Sequence, residues 1–119
     1  MALKIYTYKN CDSCRKALKY LDARDIAYTN IPIREQPPSL AELKRMASYL
    51  DGQMPKLFNT SGGDYRSMNL KQTLPDLSMD EQLELLHAHG NLVKRPFLLT
   101  DHAGTVGFKE AVWDALLEK

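Results

Sequence analysis

Two cysteines three positions apart, set between a β-rich run and an amphipathic helix, limit what this chain can fold into more than any other feature. Leu3-Lys4-Ile5-Tyr6-Thr7-Tyr8 has strand propensity and gives way to the polar Lys9-Asn10. Cys11-Asp12-Ser13-Cys14 follows. From Ser13 onward, Ala17, Leu18 and Leu21 fall at helical spacing, with Arg15, Lys16, Lys19 and Asp22 on the other face. That pattern predicts an amphipathic helix of about three turns. Residues 26–31 then read as a second strand. Strand, helix and strand within about 30 residues form a βαβ unit with a right-handed crossover. A CxxC pair beside such a unit is a thiol redox signature.

Pro37-Pro38 closes that unit, and Ser39-Leu40-Ala41-Glu42 is a capping box that opens a helix through about Leu50. Gly52 follows as a stop signal. Pro55, Gly62, Gly63 and Pro75 punctuate residues 53–77, which predicts short helices and loops. Ser78-Met79-Asp80-Glu81 is a second capping box, opening a helix that ends before Gly90. Phe97-Leu98-Leu99-Thr100, a turn at Asp101-His102-Ala103-Gly104, and Thr105-Val106-Gly107 predict a hairpin. A terminal helix is expected to turn Val112, Trp113 and Leu116 inward. The fold class is therefore α/β: a thioredoxin-like sheet in the order β-α-β, then β-β-α. A helical insertion, about 33–93, separates the halves.

The 119 residues suit a single domain over 1–119, long enough to bury a core without disulfide staples. A formal net charge of +1 gives no overall field for nucleic acid or an anionic membrane, so neither is expected as a direct partner. No N-terminal run has the form of a signal peptide, and no apolar run approaches the roughly 20 residues that span a bilayer. The expected compartment is the cytoplasm, where a thiol pair rests reduced and a disulfide is transient and catalytic.

The nucleophile of disulfide exchange is the thiolate. Cys11 falls just before the helix, where backbone N–H groups and the macrodipole favour an anion. Lys9, Arg15 and Lys16 are near in sequence, and Asp12 opposes them. Cys14 lies in the first turn, close enough to pair with Cys11 and more buried. Cys11 is thus expected to attack and Cys14 to resolve. The alternatives are two inert core cysteines, against which their position after a strand and at the mouth of a helix argues, and a half zinc site, but zinc takes about four ligands. No further cysteine exists, and His87, His89 and His102 lack completing spacing.

Several further runs carry a resemblance: Tyr8-Lys9-Asn10-Cys11-Asp12-Ser13-Cys14-Arg15-Lys16-Ala17, Pro37-Pro38-Ser39 before Glu42-Leu43, and Phe58-Asn59-Thr60-Ser61-Gly62. Tyr65-Arg66, Leu92-Val93-Lys94-Arg95-Pro96 and Val106-Gly107-Phe108 continue it. In order and spacing the chain resembles the ArsC-like family of glutaredoxin-coupled arsenate reductases and Spx/MgsR proteins. The resemblance implies a thioredoxin-like fold with a helical insertion. Arsenate reductases of this kind use one cysteine and three arginines. Cys11, Arg66 and Arg95 match the cysteine and two of the arginines. The third falls at or beside Phe108, with Lys109 adjacent, and Cys14 is an added cysteine. Both departures favour a reductase of disulfides over an arsenate enzyme. In Spx the CxxC is a redox switch, and the protein binds the RNA polymerase α-subunit, which is the alternative partner.

Arginine forks onto carboxylates and oxyanions and stays charged, so Arg66 and Arg95 are candidate substrate-binding residues. Arg95 is also a candidate catalytic residue with Cys11 and Cys14. The resemblance implies a cis Arg95-Pro96 bond, with Pro96 presenting backbone to an extended substrate. No bound cofactor or metal is expected; glutathione or glutaredoxin is the candidate reductant, and protein or small-molecule disulfides are the candidate substrates. His87 and His89 read as surface residues at a helix end. Tyr6, Tyr8, Phe58, Phe97 and Trp113 read as core, and Glu42, Lys44 and Arg45 as a solvated face.

Overall fold

A computed structural model describes residues 3–117. Strand β1 (Lys4–Thr7) leads through the cysteine loop into α1 (Asp12–Ala23) and back to β2 (Thr29–Pro32). The first capping box forms at α2 (Leu40–Tyr49), where Ser39 and Glu42 exchange side chain-to-backbone bonds. Short helical turns follow, among them α3 (Gly63–Ser67) and α4 (Leu70–Thr73). The second capping box, Ser78 with Glu81, opens α5 (Met79–Ala88). Strands β3 (Phe97–Leu99) and β4 (Gly104–Val106) form the hairpin, and α6 (Glu110–Leu117) closes the described chain.

The sheet runs β2-β1-β3-β4. Strands β1 and β2 are parallel; β3 is antiparallel to both β1 and β4. Side chains alternate between the faces of a strand, and here each face has its own apolar cluster. Leu3, Ile5 and Leu98 meet Ala17, Tyr20 and Leu21 of α1 and Trp113 of α6. Tyr6, Phe97 and Leu99 point the other way, onto Leu43 and Met46 of α2 and Leu83 and Leu86 of α5. Tyr6 and Phe97 meet edge to face at 5.6 Å. The helical segment between β2 and β3 thus covers one face of the sheet, and α1 with α6 covers the other.

Gly90 fastens that segment to the sheet. A Cβ there would stand 2.0 Å from the Ile33 carbonyl oxygen, so only glycine lets the two backbones touch.

Four sequence expectations change. The second strand begins three residues later than expected, at Thr29, because Arg24, Asp25 and Ile26 bond back to the end of α1. The hairpin loop is 100–103, held by Thr100 Oγ1, which accepts the N–H groups of His102 and Ala103. Val112 faces outward at 43% exposed; α6 turns Trp113 inward and Leu116 partly so. Glu42 is no part of a solvated face. Its carboxylate accepts Lys4 Nζ at 2.6 Å, Tyr6 Oη at 2.6 Å and the Ser39 N–H at 3.0 Å, tying α2 to β1. No helix among the described residues is long and apolar enough to cross a membrane.

Candidate functional site

The site grows from the end of β1. The chain leaves the sheet at Tyr8, and the Cys11 N–H donates to the Tyr8 carbonyl at 3.1 Å. Cys11 is then the N-cap of α1, in extended geometry, and its Sγ accepts the Cys14 N–H at 3.4 Å. A sulfur thus occupies the place where a serine or aspartate oxygen caps a helix. Cys11 is half-buried; Cys14, one turn in, is 1% exposed. Both thiols are free. Burial pushes the Cys14 thiol up to about 12. The Tyr8 N–H, 3.5 Å from its sulfur, opposes that rise, as does the charge of Arg95, while donation to Cys11 adds to it.

Cys11 opens onto a cavity of about 400 Å³. Arg34, Lys94 and Arg95 line it, with Tyr8, Asn10, Ser13, Asn59, Ser61, the Gly62-Gly63 turn and Asn91. No carboxylate is among the lining residues. Arg95 is held from behind. Its Nη2 donates to the Asn91 carbonyl at 2.8 Å and its Nη1 to Asn91 Oδ1 at 3.4 Å. Asn91 in turn donates to Asp64 Oδ2 at 3.1 Å. The guanidinium lies 5.4 Å from the Tyr8 ring centroid. Burial lowers the pKa of Arg95, and the neighbouring cysteines raise it. The guanidinium stays charged across the working pH range.

Arg34 approaches the same ring from β2. The Ile33 N–H donates to the Thr7 carbonyl at 2.9 Å, which carries the β1–β2 pairing one residue further and brings Arg34 beside Tyr8. Its Nη1 donates to Tyr8 Oη at 2.9 Å, and its Cζ lies 5.0 Å from the ring centroid. The Tyr8 hydroxyl has a lowered pKa, first through the hydrogen bond from Asn10 and also through Arg34.

The structure brings Cys11, Cys14 and Arg95 together. The Arg95–Pro96 bond is cis. Pro96 is buried, however, and its carbonyl accepts the Gly107 N–H at 2.8 Å, so the hairpin uses the acceptor that an extended substrate would need. Arg66 is exposed on α3 and donates to the Ser61 carbonyl at 3.3 Å; it does not line the cavity, although Ser61 does. Lys9, Arg15 and Lys16 do not line it either. Arg15 is turned back onto Asp12 and the Lys9 carbonyl. Phe108 packs edge-on against Trp113 at 4.9 Å and Tyr20 at 5.5 Å. Lys109 lines an adjoining groove with Lys94 and Arg95.

Tyr8, read as core, is only half-buried and lines the cavity, and Arg34, Lys94 and Asn91 line it without having been assigned to the site. Tyr8 had a readable signal, since its alternation along β1 matches Tyr6 and points away from Ile5. Arg34 had none, because its approach depends on where β2 ends. Among the described residues, no three His, Cys, Asp or Glu side chains gather as a metal site would need.

Residues 6–116 match the model of the ArsC family. The uncharacterized protein YusI of Bacillus subtilis is 47% identical over 110 residues, covering 92% of this chain and 93% of that one. The global transcriptional regulator Spx of Listeria innocua is 28% identical over 106 residues, covering 89% and 79%. The crystal structure of an ArsC family related protein from Bacteroides fragilis superposes with a TM-score of 0.91 at 38% identity, covering 98% of each chain.

Proposed function

The chain belongs to the ArsC family, and on that footing we propose that it is a thiol–disulfide reductase in which Cys11 attacks and Cys14 resolves. One observation carries the reading: a half-buried thiol faces a cationic cavity while a second, buried thiol sits one helical turn behind it.

The chemistry runs in two exchanges. The Cys11 thiolate attacks one sulfur of a disulfide RS–SR′, forming Cys11–S–SR and releasing R′S⁻, which takes up a proton. Cys14, deprotonated, then attacks Cys11 Sγ, forming the Cys11–Cys14 disulfide and releasing RS⁻. Two thiol equivalents from a reductant such as glutathione or glutaredoxin restore the dithiol and leave as a disulfide. Arg95 holds positive charge beside the sulfur that attacks and beside the developing thiolates.

The order of steps has a physical basis in Cys14. Its thiol is held neutral first by burial and further by donating to Cys11. Once Cys11 is in a mixed disulfide, its sulfur is a weaker acceptor and that donation fades. The Tyr8 N–H and the charge of Arg95 remain to favour a Cys14 thiolate. Resolution is thereby activated by the first exchange.

The test is trapping with glutathione disulfide, read by intact mass and peptide mapping. Cys14→Ser should accumulate a mixed disulfide on Cys11, Cys11→Ser little, and wild type should form the internal bond. Equal trapping by both variants refutes the assigned order. A wild type that never closes the internal bond refutes the dithiol mechanism.

A further inference from the structure

We propose that Arg34 is a specificity-determining residue that, with Arg95, selects disulfides bearing a carboxylate beside the sulfur that Cys11 attacks. The inference rests on the disulfide-exchange reading and names its substrate class.

Two guanidinium groups meet one aromatic ring, with Arg34 at 5.0 Å and Arg95 at 5.4 Å from the Tyr8 centroid. Each is anchored by a neutral acceptor, Tyr8 Oη for Arg34 and Asn91 for Arg95. Neither makes an ion pair with a carboxylate among the described residues. Their like charges act on each other unfavourably. The cavity they share with Lys94 and Cys11 has no acid in its lining to offset that. A carboxylate entering there would meet two forked donors and relieve that repulsion. The same cavity repels a cationic disulfide. Its size suits a small molecule or one side chain of a protein disulfide, and the carboxylate is the feature both sources share.

The experiment compares three disulfides of similar size on the chain with Arg34 intact: 3,3′-dithiodipropionate (dianionic), bis(2-hydroxyethyl) disulfide (neutral) and cystamine (dicationic). Second-order rates of Cys11 modification are followed by intact mass on the Cys14→Ser background. Each rate is divided by that of a free cysteine peptide, which removes intrinsic reactivity. The dianion should exceed the neutral compound by about tenfold or more, and the dication should be slowest. Arg34→Gln should lower the dianion-to-neutral ratio by about tenfold, and Arg34→Lys should restore part of it. Added salt should compress the ratio where Arg34 is intact. A glutathionylated acidic peptide against glutathione disulfide separates a protein source from a small one. A ratio unchanged in Arg34→Gln overturns the proposal while leaving disulfide exchange intact. No reaction of Cys11 with any of the three overturns the exchange reading itself, and this inference with it.

Discussion

The backbone N–H of Cys14 donates to Cys11 Sγ at 3.4 Å, so the sulfur of one cysteine caps the helix through the main chain of the other. The Cys14 sulfur is meanwhile buried and faces the Tyr8 N–H. The two thiols are therefore neighbours with opposite access to solvent.

Labelling should follow that difference. At pH 8, brief iodoacetamide treatment of the native protein should modify Cys11 alone, and both cysteines should react once the chain is unfolded. Peptide mapping by mass spectrometry reads the result. Native labelling of Cys14 at a rate comparable to Cys11 would contradict the burial described above.

Cys14 should also weaken the fold in alkali. Well below the ordinary thiol pKa of about 8.5 its thiol is neutral in both folded and unfolded chains. As pH rises from there towards about 12, the unfolded chain ionises Cys14 while burial keeps the folded one protonated. Stability is lost across that window. Cys14→Ala should be less stable than wild type near pH 7, and the gap should narrow with rising pH. Urea melts at pH 7 and pH 10 test this; a gap of constant size would count against it.

Glu42 should act at the acid end. Burial would raise its pKa, but hydrogen bonds from Lys4, Tyr6 and Ser39 outweigh that and hold the carboxyl below its usual range. Its contribution is present above the ordinary carboxylate pKa and lost as pH falls through the depressed folded value. Glu42→Gln should therefore cost about 1–2 kcal/mol at pH 7. At pH 3 the two proteins should come close together. Denaturant melts at both values decide it.

Arg95 should matter more to reaction than to folding. Arg95→Ala should slow Cys11 modification by disulfides about tenfold, roughly the value of one charge-assisted contact. Stability should change by about 1 kcal/mol, the two bonds to Asn91 being partly exposed. Arg95→Lys should recover part of the rate, since an ammonium lacks the planar fork. Unchanged kinetics in Arg95→Ala would return this residue to a purely structural role.

Phe108 should resist conversion to an oxyanion-binding arginine. It packs on Trp113 and Tyr20, and Phe108→Arg should cost about 1–3 kcal/mol through lost ring contacts. Arsenate reduction with glutaredoxin and glutathione should be weak in wild type and no better in the variant. Efficient arsenate turnover by wild type would show that Lys109 serves instead.

How much of this was legible in the sequence depended on the range of the signal. The βαβ unit, both capping boxes and the hairpin were readable because each rests on residues within about four positions of one another. The place of Cys11 and Cys14 at the start of α1 was readable for the same reason. Of the cations around Cys11, Arg95 was expected there, but Arg34 and Lys94 were not. Sequence neighbourhood suggested Lys9, Arg15 and Lys16, whereas the cavity takes Arg34 from just after β2 and Lys94 from just before β3, segments that only the sheet brings together. Glu42 was read as solvated because its helix pattern is charged; its burial comes from Lys4 and Tyr6, both more than 30 positions away.

The β1–β3 register has a consequence for how such a site can change. Tyr6 pairs with Phe97 at the end of the ladder, and two residues beyond each of them the chain places Tyr8 and Arg95 in contact, with the guanidinium 5.4 Å from the ring centroid. The strand pair therefore works as a ruler whose unit is one residue. Deleting or adding a single position between Tyr6 and Cys11, or between Arg95 and Phe97, would move the guanidinium and the thiols relative to each other by about one residue, roughly 3.3 Å of extended chain. Point substitutions can retune charge and shape around Cys11, but changes of length close to this pair dismantle the site in one step.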